Sequence, residues 1–266
     1  MNMFLHELKT LRKTTTIWII VLVALLALYL SIYPGMANDA EDFKKLLEGY
    51  PASVRAMLGI NLDTITSILG FYSMIFSFIV VFGAIQAMNL GVSILSRESR
   101  ERTADFLLVK PVSRTSIVTA KLSAAFTVII ITNIIFLAVS FIMANAVKTA
   151  DFDVNTFLLI NFTLFFIQVI FVAIGMVSSV FFNKLKNILP LSLGVVFGLY
   201  MLGTLIATGK DANTARYFSP FKYFDIPYII KNISYESSYM ITGIAIVIIS
   251  IIVSYIVYNK KDIHAV

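Results

Sequence analysis

The sequence predicts an all-α polytopic membrane protein. Of the 266 residues, 59% are hydrophobic and only 14% are charged, whereas soluble domains are about 45–50% apolar and about 25% charged. Several runs approach or exceed the roughly 20 apolar residues that a helix needs to cross a bilayer. There is no cysteine, which excludes disulfides, cysteine-ligated metal sites and cysteine nucleophiles.

Six apolar segments are expected to cross the membrane within one transmembrane domain that covers residues 1–266. Polar or charged stretches separate them and set their approximate bounds. The predicted spans are residues 17–33, 68–90, 122–147, 157–182, 188–208 and 239–258. In the fifth span, Gly194 and Gly198 form a G-x-x-x-G pattern, which can bring two helices close together.

Residues 1–16 precede the first span and carry Phe4, Leu8 and Leu11 at helical spacing, with charged residues elsewhere on the wheel. This pattern predicts a short amphipathic helix that lies in the headgroup region. The alternative is an ordinary charged flank before the first span.

An even number of spans places both termini on one side of the membrane. With the termini in the cytoplasm, the inside segments hold 13 of the 21 Lys and Arg residues and 5 of the 15 acidic residues. The positive-inside rule therefore predicts cytoplasmic termini. The formal charge of +6 is then explained by membrane topology, and it does not indicate binding to nucleic acid.

This orientation places the segment 97–122 in the cytoplasm. It holds six of the Lys and Arg residues and an apolar patch at residues 106–109. An apolar patch within a charged loop indicates a protein partner. Arg97, Arg100 and Arg102 would contact either acidic residues of that partner or anionic lipid headgroups.

The predicted spans contain no Asp, Glu, Lys, Arg or His, which argues against proton-coupled transport and against a charge-lined channel. The sequence has no P-loop and no G-x-S-x-G motif, and His6 and His264 lie too far apart in the chain to suggest a zinc pair. No ATPase domain and no catalytic site are therefore predicted.

A few amide side chains lie within the predicted spans. Each is interpreted first as an interhelical hydrogen-bonding group, and the alternative is that the set lines a transport path. The candidate pathway residues are Gln86, Asn89, Asn133 and Gln168, and Asn161 is a further amide in the fourth span.

Several short motifs resemble those of type-2 ABC exporter permeases. In the loop between the second and third spans these are Glu98, Thr103, Leu107-Leu108, Pro111-Val112-Ser113-Arg114 and Lys121-Leu122. Tyr50-Pro51 with Leu58-Gly59, and Ser219-Pro220-Phe221 with Tyr223-Phe224-Asp225, are similar to the outer loops of that family. One position departs from the pattern, because Arg102 stands where the family usually has Gly.

The resemblance implies that this loop forms a cytoplasmic coupling helix, which sits in a groove of a separate ATPase subunit. Thr103 and Asp105 suit the start of such a helix, Pro111 its end, and Ser113 the cap of the next helix. Phe106 supplies apolar area for the groove. The coupling residues expected from the pattern are Glu98, Arg102, Thr103, Asp105, Phe106, Leu107, Leu108, Pro111 and Arg114.

The chain is thus expected to be the non-catalytic permease subunit of an ATP-driven exporter in a bacterial plasma membrane. ATP and Mg would be bound by two copies of the partner ATPase, and a second permease copy or a paralogue would complete the transporter. The apolar interior suits an amphipathic or hydrophobic substrate, for example an antimicrobial or toxin peptide. The alternatives are a non-transporting membrane scaffold or assembly factor, and an intramembrane enzyme, which the missing nucleophile, metal site and in-span charges disfavour.

Overall fold

The computed structural model describes residues 3–51, 54–55, 58–101, 112–182, 187–207 and 215–260, with the side chains of residues 98–101 and 206–207 excepted. Helices form almost all of the secondary structure in these ranges. Long helices are α1 (Met3–Leu30), α4 (Ile68–Glu101), α5 (Arg114–Val147), α6 (Val154–Phe181), α7 (Leu189–Ala207) and α9 (Ser237–Lys260). Short helices are α2 (Tyr33–Asn38), α3 (Ala40–Glu48) and α8 (Ile226–Asn232), with 3-10 turns at Arg216–Phe218 and Pro220–Lys222.

The prediction of an all-α polytopic membrane protein is confirmed. Five of the long helices are long and apolar enough to cross a membrane, and the apolar part of α7, Leu189–Leu205, is shorter. The six helices alternate in direction along the chain. We call the end where α1 begins and α4 ends the basic end, and the opposite end, which α2, α3 and α8 cover, the capped end.

The N-terminal segment does not form the separate interfacial helix that the sequence suggested. It is the first part of α1, which runs without a break from Met3 to Leu30. No Gly or Pro lies in this range. The hydroxyl groups of Thr15 and Thr16 donate to the carbonyl oxygens of Leu11 and Arg12, each at 2.9 Å, so these polar residues stay within the helix.

Helix α4 packs most extensively on α6, and these two helices form the centre of the bundle. Glycines explain the close approach, because a Cβ atom on Gly175 would lie 2.8 Å from the carbonyl oxygen of Met88. Without side chains at such positions, two helix backbones can come into direct contact. Helix α1 packs mainly on α5, α9 on α6, and α7 on α4.

The G-x-x-x-G pattern of α7 does not make a helix contact within the described chain. A Cβ atom added at Gly194 or at Gly198 would meet nothing within 4 Å. The buried side of α7 instead contains Ser192 and Val196, which are fully buried. The close glycine packing of this fold therefore involves α4 and α6, and the sequence motif on α7 faces away from both.

The helices next to the 97–122 loop extend beyond the predicted spans. Helix α4 continues to Glu101 and α5 begins at Arg114, whereas the spans were expected to end near residue 90 and to begin near residue 122. The predicted coupling helix falls on residues 102–111, which lie outside the described residues. Ser113 is the N-cap of α5 as predicted, and its hydroxyl oxygen accepts the backbone N–H of Ser116 at 3.2 Å.

Candidate coupling site and transport path

Three charged side chains form a buried cluster at the basic end. The Glu7 carboxylate on α1 lies 3.1 Å from the Lys121 ammonium on α5 and 3.1 Å from the Arg97 guanidinium on α4. The Lys121 side chain is 0% exposed, and its ammonium also donates to the carbonyl oxygen of Ile94 at 2.7 Å. We call these residues the Glu7–Arg97–Lys121 cluster. It connects three helices through charge-assisted hydrogen bonds.

The position of the cluster in the chain is informative. Arg97 comes just before the predicted coupling residues, which lie between residues 98 and 114, and Lys121 comes after them. A charge this deeply buried is costly unless it is paired, so the two cations hold Glu7 between the helices that enter and leave the loop. The cluster therefore fixes both ends of the loop to α1.

The sequence pattern did not indicate this cluster. Lys121 was assigned to the loop and Glu7 to the polar face of an interfacial helix, so the charges appeared solvated. Arg97 was expected to contact a partner protein or lipid headgroups, but its guanidinium is bonded to Glu7 within the chain. The sequence feature that could have indicated the burial of Lys121 is the N-cap at Ser113. A helix that begins after Ser113 places Lys121 about two turns from its start, within the bundle.

A second attachment joins the start of α5 to the end of α9. The guanidinium of Arg114 donates to the carbonyl oxygen of Asn259 at 3.2 Å, and the Asn259 amide nitrogen lies 3.4 Å from the Thr115 hydroxyl. The hydroxyls of Thr119 and Tyr255 lie 2.8 Å apart. A cation close to the last carbonyl groups of a helix is favourable. Arg114, predicted as a coupling residue, thus has a partner inside the chain.

Of the other predicted coupling residues, the structure describes only the backbone of Glu98. The backbone of Glu98 belongs to α4. The remaining ones lie outside the described residues and stay predictions: Arg102, Thr103, Asp105, Phe106, Leu107, Leu108 and Pro111.

Three of the four candidate pathway residues lie in one hydrogen-bond network between α4, α5 and α6. The Asn133 amide donates to Gln168 at 2.6 Å, Gln168 donates to Gln86 at 3.0 Å, and Gln86 donates to the Thr132 hydroxyl at 3.2 Å. Thr132 in turn donates to the carbonyl oxygen of Val128 at 2.9 Å. These polar side chains hydrogen-bond to one another, which supports their interpretation as interhelical hydrogen-bonding groups.

A second polar group lies nearer the capped end. The Asn161 side-chain oxygen accepts the Tyr72 hydroxyl at 2.8 Å and the Ser140 hydroxyl at 3.2 Å. All three residues are buried. This group joins the same three helices, α4, α5 and α6, so the centre of the bundle is held at two levels.

Asn89 is not part of either network. Its side chain lies beside a cavity of about 250 Å³ in the basic half of the bundle, which Gln86, Ser93 and Arg97 also line. The remaining walls come from α1, from Val128 and from the start of α7. We call this the basic-half cavity. Asn89 and Gln86, two of the candidate pathway residues, therefore line this cavity.

A larger cavity of about 570 Å³ lies in the capped half. Helices α4, α6 and α7 form its walls, and Arg55, residues 59–63 and residues of the segment 221–227 complete it. We call this the capped-end cavity. On α4, the lining residue nearest the basic end is Val80. Gln86, which lines the basic-half cavity, follows six residues later, so about 9 Å of helix separates the two cavities along α4. Cavities of this size are common at ligand sites.

The outer segments that close the capped-end cavity are held by specific contacts. Gly59 has a φ angle of +70°, in the left-handed region that favours glycine. The Ser219 hydroxyl donates to the carbonyl oxygen of Leu199 at 2.8 Å. Arg216 pairs with Glu236 at 2.6 Å and lies 4.1 Å from the centre of the Tyr239 ring. Gly59 and Ser219, which belong to the two predicted outer-loop motifs, thus help to position the wall of this cavity.

Comparison with known proteins identifies one family. The family model described as ABC-2 family transporter protein matches residues 1–263. No curated protein matches the chain. Permeases of this family associate with an ABC ATPase, and they are the membrane components of the transporter. The match covers nearly the whole helical bundle, including the cluster, the loop and both cavities, and the chain therefore belongs to the ABC-2 transporter family as a multi-pass membrane permease.

Proposed function

We propose that this permease couples ATP hydrolysis by a separate ATPase subunit to the export of an amphipathic or hydrophobic substrate. The observation that carries the proposal is the Glu7–Arg97–Lys121 cluster, which joins both helices beside the 97–122 loop to α1. A contact made on the loop would act on three helices at once. Energetic coupling travels through such chains of hydrogen bonds and rigid helices.

In this proposal the loop docks in a groove of the ATPase. Phe106 and the leucines beside it would supply the apolar contact, and Glu98, Arg102 and Asp105 the polar rim. ATP and Mg would be bound by two copies of the ATPase, and two permease chains, identical or paralogous, would form the pore. The basic end, with 13 of the 21 Lys and Arg residues in the segments assigned to that side, would face the cytoplasm.

The substrate class is inferred from the lining of the two cavities. Each combines aliphatic or aromatic side chains with hydroxyl, amide or charged groups. Such walls suit a molecule that has both an apolar part and a polar part. An antimicrobial or toxin peptide is one example of an amphipathic substrate of this kind.

The docking step is tested with the Phe106→Asp variant. Permease and ATPase would be co-purified in nanodiscs, and the bound ATPase and its hydrolysis rate measured. A carboxylate forced into an apolar groove should cost several kcal/mol, so the ATPase should dissociate. Phe182→Asp is the matched control, because Phe182 is 53% exposed and follows α6 at the basic end. Unchanged binding of the Phe106 variant would favour a scaffold, or docking at another surface.

The transmission step is tested separately with Glu7→Gln. This change removes the charge that holds Arg97 and Lys121 but leaves the loop sequence intact. We expect the ATPase to remain bound while its hydrolysis no longer responds to the permease. If hydrolysis remains as responsive as with the wild-type chain, the cluster does not transmit the movement.

A further inference from the structure

The capped-end cavity contains an ammonium group that has no direct partner among the described residues. Lys222 ends the 3-10 turn Pro220–Lys222 and lines the cavity. Among the residues that the structure describes, its ammonium makes no hydrogen bond or ion pair. Burial lowers the pKa of Lys222, and Arg216 lowers it further, while Asp225 raises it. A partly buried cation without a counter-ion is costly.

The charged neighbours of Lys222 are already engaged. Arg216 pairs with Glu236 at 2.6 Å. The Asp225 carboxylate caps α8, where it accepts the backbone N–H of Tyr228 at 3.3 Å. Asp225 therefore provides attraction at a distance but no direct hydrogen bond to Lys222.

The serine and threonine hydroxyls of the cavity wall do not offer free protons. Those of Ser73, Ser77, Thr163 and Thr204 each donate to a backbone carbonyl within their own helix. Their oxygen atoms remain as acceptors only. The charged donors of the cavity are therefore Lys222 and Arg55, which also lines it.

Asn61, Asp63 and Asp225 also line the cavity, and much of the remaining wall is apolar. Val80 on α4, Ile167 on α6 and Phe221 line the same cavity. Val80 and Ile167 are 7% and 0% exposed. An occupant would therefore meet the Lys222 ammonium and an apolar surface in one space.

We propose that the capped-end cavity binds an amphipathic molecule that has an anionic group, with Lys222 as the counter-ion and the apolar part against Val80, Ile167 and Phe221. This inference rests on the proposed function and narrows its substrate class to amphiphiles with an anionic group. Binding would supply the missing partner of Lys222, in the partly desolvated setting where charge-assisted hydrogen bonds are strong.

The test uses a photoreactive probe. Diazirine-bearing hexadecyl sulfonate would be added to the permease in phosphatidylcholine nanodiscs, and adducts mapped by mass spectrometry. We expect labelling of residues that line the cavity, about tenfold above that by the matching hexadecanol probe. Unlabelled hexadecyl sulfonate should compete and hexadecanol should not. Equal labelling by the two probes would overturn the proposal, because the head group would then not matter.

Variants connect the labelling to the ammonium group. Lys222→Met should reduce labelling by the sulfonate about tenfold, and Lys222→Arg should retain it. Lys231→Met is the matched control, because Lys231 is exposed on α8 and does not line the cavity. Thr204→Trp, which fills the cavity and leaves Lys222 in place, should also reduce labelling. If Lys222→Met elutes as a folded protein and labels like the wild type, the proposal is wrong.

Two further measurements identify the source of the anion and separate this inference from the proposed function. Competition by phosphatidylglycerol in the nanodisc would show that a membrane lipid occupies the site, and absence of competition that a free amphiphile does. If hydrolysis depends on the permease but the sulfonate does not label the cavity, only this inference fails. If the sulfonate labels the cavity but hydrolysis is independent of the permease, the site stands and the export proposal fails.

Discussion

Removing the charge of Glu7 should destabilise the bundle more than the loss of any exposed ion pair would. Glu7→Gln keeps the size of the side chain and leaves two cations without their counter-charge. Breaking a buried pair by removal of one partner costs about 3–5 kcal/mol. The side chain of Lys121 is 0% exposed and that of Arg97 is 14% exposed, so water can partly replace Glu7 at Arg97 only. We therefore expect a loss of about 3 kcal/mol.

The assay is unfolding of the purified permease in mixed micelles, followed as a function of the SDS fraction. Asp42→Asn is the matched control, because it breaks an ion pair with Lys45 whose side chains are 84% and 71% exposed. Exposed pairs contribute about 0–1 kcal/mol. If Glu7→Gln lowers the free energy of unfolding no more than Asp42→Asn does, the buried cluster does not hold these helices together.

A double variant separates the ionic contribution from packing. Glu7→Leu with Lys121→Met removes the buried pair and leaves Arg97 with its partial access to water. Replacement of a buried pair by apolar residues is often neutral or stabilising. We expect the double variant to recover at least half of the stability that Glu7→Gln loses. A larger loss than in the single variant would show that these side chains act by shape and not by charge.

Two other predictions follow from the helix packing and the cavities. Gly175→Ala should lower the free energy of unfolding by about 1–3 kcal/mol, because the new methyl group would lie too close to the carbonyl oxygen of Met88. Gly194→Ala is the control, because its methyl group would lie in open space, and it should change the free energy of unfolding by less than about 0.5 kcal/mol. A single cysteine can be added to this cysteine-free chain, and a membrane-impermeant maleimide should label Asn89→Cys only in inverted vesicles and Thr204→Cys only in intact cells. The reverse pattern of labelling would contradict the orientation that the positive charges predict.

The number of apolar segments was a good guide to the architecture, but their lengths were a poor guide to helix ends. Apolar composition marks the part of a helix that contacts lipid, and a helix can continue beyond it in water. Helix α4 runs to Glu101 and α5 starts at Arg114, because residues 92–101 and 114–121 contain no Gly or Pro and can remain helical. The Ser113 cap was the reliable boundary, since its side chain bonds to the backbone directly.

The candidate pathway residues could be found in the sequence, but their partners could not. Gln86 and Gln168 are bonded across 82 positions of the chain, and such a contact depends on which helices pack together. The packing order of six similar apolar helices is not visible from their hydropathy. Asn89, three residues from Gln86, lines the same cavity but is not part of the network that Gln86 joins, and only the rotation of α4 decides this.

The buried charge of Glu7 had a sequence signal that becomes visible when α1 is treated as one helix. Its buried positions include Leu30, Leu26, Leu22, Thr15 and Leu11, separated by intervals of four or seven. One more step of four reaches Glu7, so the carboxylate stands on the stripe that packs inward. Dividing the segment into an interfacial helix and a span hid this continuity. A carboxylate on the inward stripe of a membrane helix needs a buried cation, and Arg97 and Lys121 provide two.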